Sequence, residues 1–103
     1  MSARIAIDRD KVAGFCRRWK IVKLSFFGSV LRDDFGPDSD VDVLVVFAPD
    51  ARWGLFDMVH MQEELKGILG RNVDLVSRRA IEASRNYIRR KAILSSAEVV
   101  YGA

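Results

Sequence analysis

Residues 26–47 read FFGSVLRDDFGPDSDVDVLVVF, and this stretch decides the fold. It is entered from Ile21, and Ile21 to Phe27 has the short apolar run of a β-strand, with Val22, Leu24 and Phe26 on one side and Ile21, Ser25 and Phe27 on the other. The strand stops at Gly28-Ser29. Val30, Leu31 and Arg32 fit a short helix, and Asp33 to Ser39 is crowded with turn formers, including Gly36-Pro37. Val41 to Phe47 (VDVLVVF) is the strongest strand pattern in the chain, almost wholly apolar and closed by Pro49, which predicts a central strand.

The chemistry sits at the junctions of these elements. Side chains alternate along a strand, so Asp40 and Asp42 point to one side and place two carboxylates over one small volume. Two such anions repel unless a cation lies between them. Hard oxygen ligands suit magnesium, which keeps several waters and shares phosphate oxygens of a substrate. Gly28 removes a side chain where backbone must approach an anion. Ser29, at the start of a helix, offers an amide and a hydroxyl to phosphate. Asp74, in the strand pattern Asn72 to Ser77 (NVDLVS), is a third candidate carboxylate; a charge between Val73 and Leu75 is costly unless it meets metal or water. The plainer reading of Asp74 is an exposed residue on an edge strand. Gly-Ser or Asp-x-Asp alone would carry little information, and their order carries more. Asp33, Asp34 and Asp38 read as solvated loop charges, while Arg32 fits either a phosphate contact or an ion pair with a neighbouring Asp.

Helical periodicity flanks the stretch on both sides. Asp8 or Asp10 can cap a helix running to about Trp19, with Val12, Phe15, Cys16 and Trp19 on its buried face. Gly54 to Leu69 carries Leu55, Met58, Val59, Met61, Leu65, Ile68 and Leu69 on a broad apolar face, with Gly70 placed to end it. His60 projects away from that face and reads as solvated rather than catalytic. Ala80 to Ser95 is helical in pattern with a break near Ser84 to Asn86, and Glu98 to Tyr101 fits a terminal strand. Tyr87 and Ile88 are assigned to core packing.

The whole chain is 103 residues, half of them apolar and 30% charged, which predicts one globular domain over residues 1–103. Its net charge of +3 is unevenly spread: residues 1–27 hold seven Lys/Arg against two Asp, residues 28–50 one Arg against six Asp, and residues 71–103 seven Lys/Arg against three acids. A basic face could meet nucleic acid, with Tyr87 stacking among Arg85, Arg89, Arg90 and Lys91, but a solvated face explains it more simply. The single Cys16 forms no internal disulfide, sits on an apolar stripe, and reads as a packed thiol. There is no zinc-ligand spacing, no membrane-spanning apolar run and no secretory signal pattern in Met1 to Asp10. A cytoplasmic protein is expected.

Taken together, FFGSVLRDDFGPDSDVDVLVVF resembles the signature of the minimal nucleotidyltransferases within the DNA polymerase beta superfamily, and the similarity extends over essentially the whole chain. The resemblance implies an α/β (α+β) fold, a small mixed β-sheet flanked by helices. It implies that Asp40, Asp42 and Asp74 are catalytic carboxylates that ligate magnesium, with two ions expected, and that Gly28, Ser29 and Ser39 bind the nucleotide phosphates. ATP is the implied donor. Minimal nucleotidyltransferases are often paired with a HEPN-domain toxin, so the resemblance implies a hetero-oligomeric antitoxin that adenylylates a tyrosine of that partner. One departure is Asp33, where family members usually carry Gly after the motif arginine; it alters the loop beside the phosphates and leaves the carboxylates intact. Two further readings stand beside this one: the same chemistry on a small molecule or an RNA end, and a noncatalytic antitoxin that neutralises its partner by binding alone. Intact carboxylates favour catalysis over the latter.

Overall fold

The structure is a computed structural model that describes residues 7–28 and 40–102. Helix α1 (Arg9–Arg18) starts where the Asp8 side chain accepts the Lys11 amide at 3.1 Å, satisfying a first-turn donor. It leads through Lys20, whose φ of 55° lies in the left-handed region, into β1 (Ile21–Phe27). The next strand, β2 (Val41–Phe47), pairs antiparallel with β1. Helix α2 (Leu55–Leu69) is opened by the Gly54 amide donating to Asp57 Oδ2 at 2.8 Å and closed by Gly70 at φ 69°. It returns the chain to β3 (Val73–Ser77), which runs parallel to β2. Helices α3 (Arg78–Glu82) and α4 (Tyr87–Ser96) then precede β4 (Glu98–Gly102), antiparallel to β1.

The strand order is β3-β2-β1-β4, so the sheet is mixed and VDVLVVF is an inner strand, as its apolar run predicts. One face of the sheet packs on α1 and α2. Phe15, Cys16, Leu24, Phe26, Val43, Met61 and Leu65 form the centre of that core. The opposite face carries a smaller core of Phe27, Leu44, Ile81 and Ile93 under α3 and α4. Gln62 on α2 reaches over the outer edge of β3, its Oε1 accepting the Leu75 amide at 3.2 Å, which supplies an acceptor at a strand edge.

Three packing expectations are corrected. Leu55 and Val59 are 78% and 50% exposed, so the buried face of α2 is narrower than its apolar pattern and centres on Met61 and Leu65. Tyr87 and Ile88 are 60% and 80% exposed; α4 buries Ile93 instead, and Tyr87 lies under the Arg90 guanidinium at 5.3 Å. A register shift between Ile21 and Lys23 turns Ile21 to the same core as Leu24 and Phe26, which strict alternation would forbid. The helical segment after β3 is divided at residues 83–86, near the expected break, and begins earlier than expected because Ser77 Oγ caps it by accepting the Ala80 amide at 3.1 Å.

Candidate active site

The sheet register brings the acidic residues together. In the parallel pair, Asp42 lies opposite Asp74; in the antiparallel pair it lies opposite Phe27, the residue before Gly28. The Val41 amide donates to the Asn72 carbonyl at 2.9 Å and pins the starts of β2 and β3 together. Asp42 and Asp74 therefore share the sheet face that carries Phe27 and Leu44, at the end where both parallel strands begin. Asp42 is half-buried on the inner strand, and Asp74 is exposed on the edge strand. Asp40 is exposed and lies two residues before Asp42, immediately ahead of β2.

Gly28 completes the arrangement in a way the sequence reading did not foresee. Its φ is +73°, and a Cβ built there would collide with the Asp42 carboxylate. The close approach that demands glycine is thus to Asp42 itself. The missing side chain lets a carboxylate sit against the backbone where β1 ends, and a left-handed backbone there costs glycine little. Ser29 and Ser39, with the short helix and turns expected between them, lie outside the described residues.

Among the described residues no group of three or more His, Cys, Asp or Glu is gathered closely enough to hold a metal ion. What is present is an in-register pair, Asp42 and Asp74, with Asp40 two residues ahead of Asp42 in sequence. Magnesium is commonly held by one or two carboxylates together with water and substrate phosphates, so this set fits an ion that arrives with a nucleotide.

Away from this site, Cys16 is fully buried and burial pushes its thiol up to about 12, which removes it as a nucleophile at neutral pH. His60 is exposed on α2. The exposed Asp50 is lowered by its hydrogen bond and ion pair with Lys20. A cavity of about 420 Å³ lies at the opposite end of β2 and β3, between Phe47 and Ser77, and includes none of the three carboxylates. Nothing in the hydrophobic pattern signalled it, because its walls come from segments distant in sequence. No helix among the described residues is long and apolar enough to cross a membrane.

A family model described as "Nucleotidyltransferase domain" matches residues 9–98. A Methanocaldococcus jannaschii protein that bears the name protein adenylyltransferase provisionally is 34% identical over 73 residues, covering 71% of this chain and 76% of its own. Protein adenylyltransferase MntA of Thermococcus cleftensis is 33% identical over 66 residues, covering 64% of this chain and 65% of its own. Among solved structures, one provisionally described as a minimal nucleotidyltransferase is 35% identical with a TM-score of 0.66, covering 86% of this chain and 85% of its own. A toxin–antitoxin structure with AMP-PNP superposes at a TM-score of 0.71 with 19% identity, over 94% of this chain and 75% of the other. A structure of tri-AMPylated Shewanella oneidensis HEPN toxin with MNT antitoxin gives 0.63 and 20%, over 92% and 70%.

Proposed function

This chain belongs to the nucleotidyltransferase domain family and is a nucleotidyltransferase, and on that premise we propose that it transfers AMP from ATP to a tyrosine hydroxyl of a HEPN-type partner toxin, acting as its antitoxin in the cytoplasm. Residues 1–103 serve as a single nucleotidyltransferase domain in this reading. The observation that carries it is the register of Asp42 against Asp74, with the Asp42 carboxylate packed on Gly28. Relatives named as protein adenylyltransferases support AMP as the transferred group. Neighbours of the same fold described with AMP-PNP and with an AMPylated HEPN toxin support the donor and the acceptor.

Asp40, Asp42 and Asp74 would hold magnesium, as two ions. Bound there, magnesium supplies positive charge against the triphosphate and the departing pyrophosphate. Gly28 positions Asp42 by leaving its carboxylate room at the end of β1. Ser29 and Ser39 donate to the phosphates in this reading. The tyrosine oxygen forms a bond to the α-phosphorus, the bond from that phosphorus to the β-bridging oxygen breaks, and pyrophosphate leaves. Asp74 takes the hydroxyl proton; its exposure on an edge strand lets a protein-borne hydroxyl approach.

The test is incubation with labelled ATP, magnesium and a HEPN-type toxin that forms a complex with this chain, followed by mass spectrometry of both polypeptides. AMP on a partner tyrosine is expected with the native chain and not with Asp42→Asn. An unmodified partner, under conditions where the two form a complex, would overturn transfer to protein and leave binding alone as the antitoxin mechanism.

A further inference from the structure

The cavity of about 420 Å³ arises from the way the chain leaves two neighbouring strands. β2 and β3 are adjacent and parallel. After β2 the chain passes to α2, which packs its Met61 and Leu65 on one face of the sheet. After β3 it enters α3, whose Ile81 packs on the other face. Parallel strands whose connections depart to opposite faces leave a crevice beyond their carboxyl ends, because neither connection covers the gap. The cavity lies in that gap, with Phe47 and Ala48 from the end of β2 and Ser77 and Arg78 from the end of β3.

Its lining combines apolar and aromatic side chains with cationic ones. Trp53 is held rigidly: its Nε1–H donates to the Trp19 carbonyl at 2.7 Å, and the two indoles meet edge-on with centroids 5.1 Å apart. Arg52 is folded onto its own loop, donating from Nη1 to the Pro49 and Ala51 carbonyls at 2.9 and 3.1 Å. Arg78 is fixed by Glu82, at 3.2 Å. Arg79 also lines the cavity, and among the described residues it makes no ion pair. Three guanidinium groups thus face one carboxylate around a fixed indole. Guanidinium donors favour carboxylate or phosphate, and an apolar wall with a few oriented polar groups is the usual character of a small-molecule site.

We propose that this crevice, at the opposite end of the sheet from the carboxylates, is a second binding site, for a small organic anion carrying a flat ring and of nucleoside monophosphate size. The ring lies against Trp53 and Phe47, and the anionic group meets Arg79 and Arg52. The cavity's volume falls within the roughly 300–1,000 Å³ range of small-molecule sites.

The chain's only tryptophans, Trp19 and Trp53, make the test direct. AMP is titrated in metal-free buffer while tryptophan fluorescence is followed, with adenosine and inorganic phosphate as ring-only and anion-only probes. The expected result is a saturable change with AMP, and binding about ten-fold weaker for either fragment. Arg79→Ala and Arg52→Ala should each weaken AMP binding by about ten-fold, the loss of one charge-assisted contact, without changing the unfolding midpoint appreciably. Asp42→Asn should leave the signal intact. No saturable change with AMP in folded protein overturns the proposal. So does a signal that is lost in Asp42→Asn and indifferent to Arg79→Ala, since AMP would then be at the carboxylates. Phosphate binding as tightly as AMP overturns the assignment of a ring-bearing ligand.

Discussion

The two ends of the parallel pair β2–β3 are opposite in chemistry and in origin. Where the strands begin, Asp42 and Asp74 face each other across one ladder position, and the site is made by register. Where they end, the chain departs to opposite faces and opens a crevice lined by Arg52, Arg78, Arg79 and Trp53, and the site is made by connectivity. Register is a local property of alternation and pairing, so it brings like charges together at close range. Connectivity joins residues that no local pattern relates. The framework of the first should therefore be sensitive to charge and close approach, and the framework of the second to packing.

The largest effect is expected at the acidic end. Asp42→Asn keeps the shape of the side chain and removes its charge, so transfer should fall by about 100-fold or more, in the range found when one charge-stabilising group is lost, while the fold survives. Cys16 provides the control for folding. Its thiol is fully buried and raised to about 12, so it should resist alkylation near pH 8 in both the native chain and Asp42→Asn and react only on unfolding. The same shift carries a sign. The folded state holds the thiol proton more tightly than an exposed cysteine, whose thiol titrates near 9.0, so that contribution to stability is complete below about 9 and is lost as pH rises from there toward about 12.

A second substitution probes how the acidic end is assembled. Gly28→Ala puts a Cβ on a backbone at φ +73° and into the Asp42 carboxylate, and should cost about 2 kcal/mol or more in urea unfolding. In an Asp42→Ala background the collision is gone, and the same change should cost only the backbone term of about 1 kcal/mol. Equal costs in both backgrounds would mean that Gly28 and Asp42 are not coupled.

Smaller effects are expected at the basic end, through packing. Trp53→Phe removes the hydrogen bond to the Trp19 carbonyl and the edge-on indole contact and should lower stability by about 1–2 kcal/mol in the same measurement. Lys20, which joins α1 to β1 and accepts the Ala48 amide at 2.8 Å, has φ 55°. Lys20→Gly should stabilise the chain by up to about 1 kcal/mol, since the exposed pair with Asp50 that it loses is worth little. A loss of stability would show that this turn is held by the ion pair rather than strained.

The contrast between the two ends also explains what the sequence could disclose. The inner strand VDVLVVF was legible because an apolar run has direct structural meaning, and Asp40 and Asp42 were legible as candidates through their two-residue period. Asp74 was legible as a candidate, and its placement on an edge strand came only with the pairing of β2 and β3. The role of Gly28 was half legible: the need for glycine was anticipated, but its neighbour is the Asp42 carboxylate. Leu55, Val59, Tyr87 and Ile88 were misread because apolar character was equated with burial, whereas α2 and α4 bury only part of their apolar surface. The crevice was invisible, since Phe47, Arg52 and Arg79 meet only after two connections have gone to opposite faces.

The most direct measurement is a comparison of the native chain with Asp42→Asn against the proposed HEPN-type partner, following complex formation, partner mass and partner activity in the same samples with ATP and magnesium. Both chains should bind the partner, because the substitution leaves every exposed surface except one carboxylate unchanged. Only the native chain should add one or more AMP masses, and the modified partner should stay inactive after this chain is removed. If Asp42→Asn silences the partner as fully as the native chain, with no AMP on either polypeptide and with activity returning on its removal, the carboxylate end is not the source of the protection and transfer is contradicted.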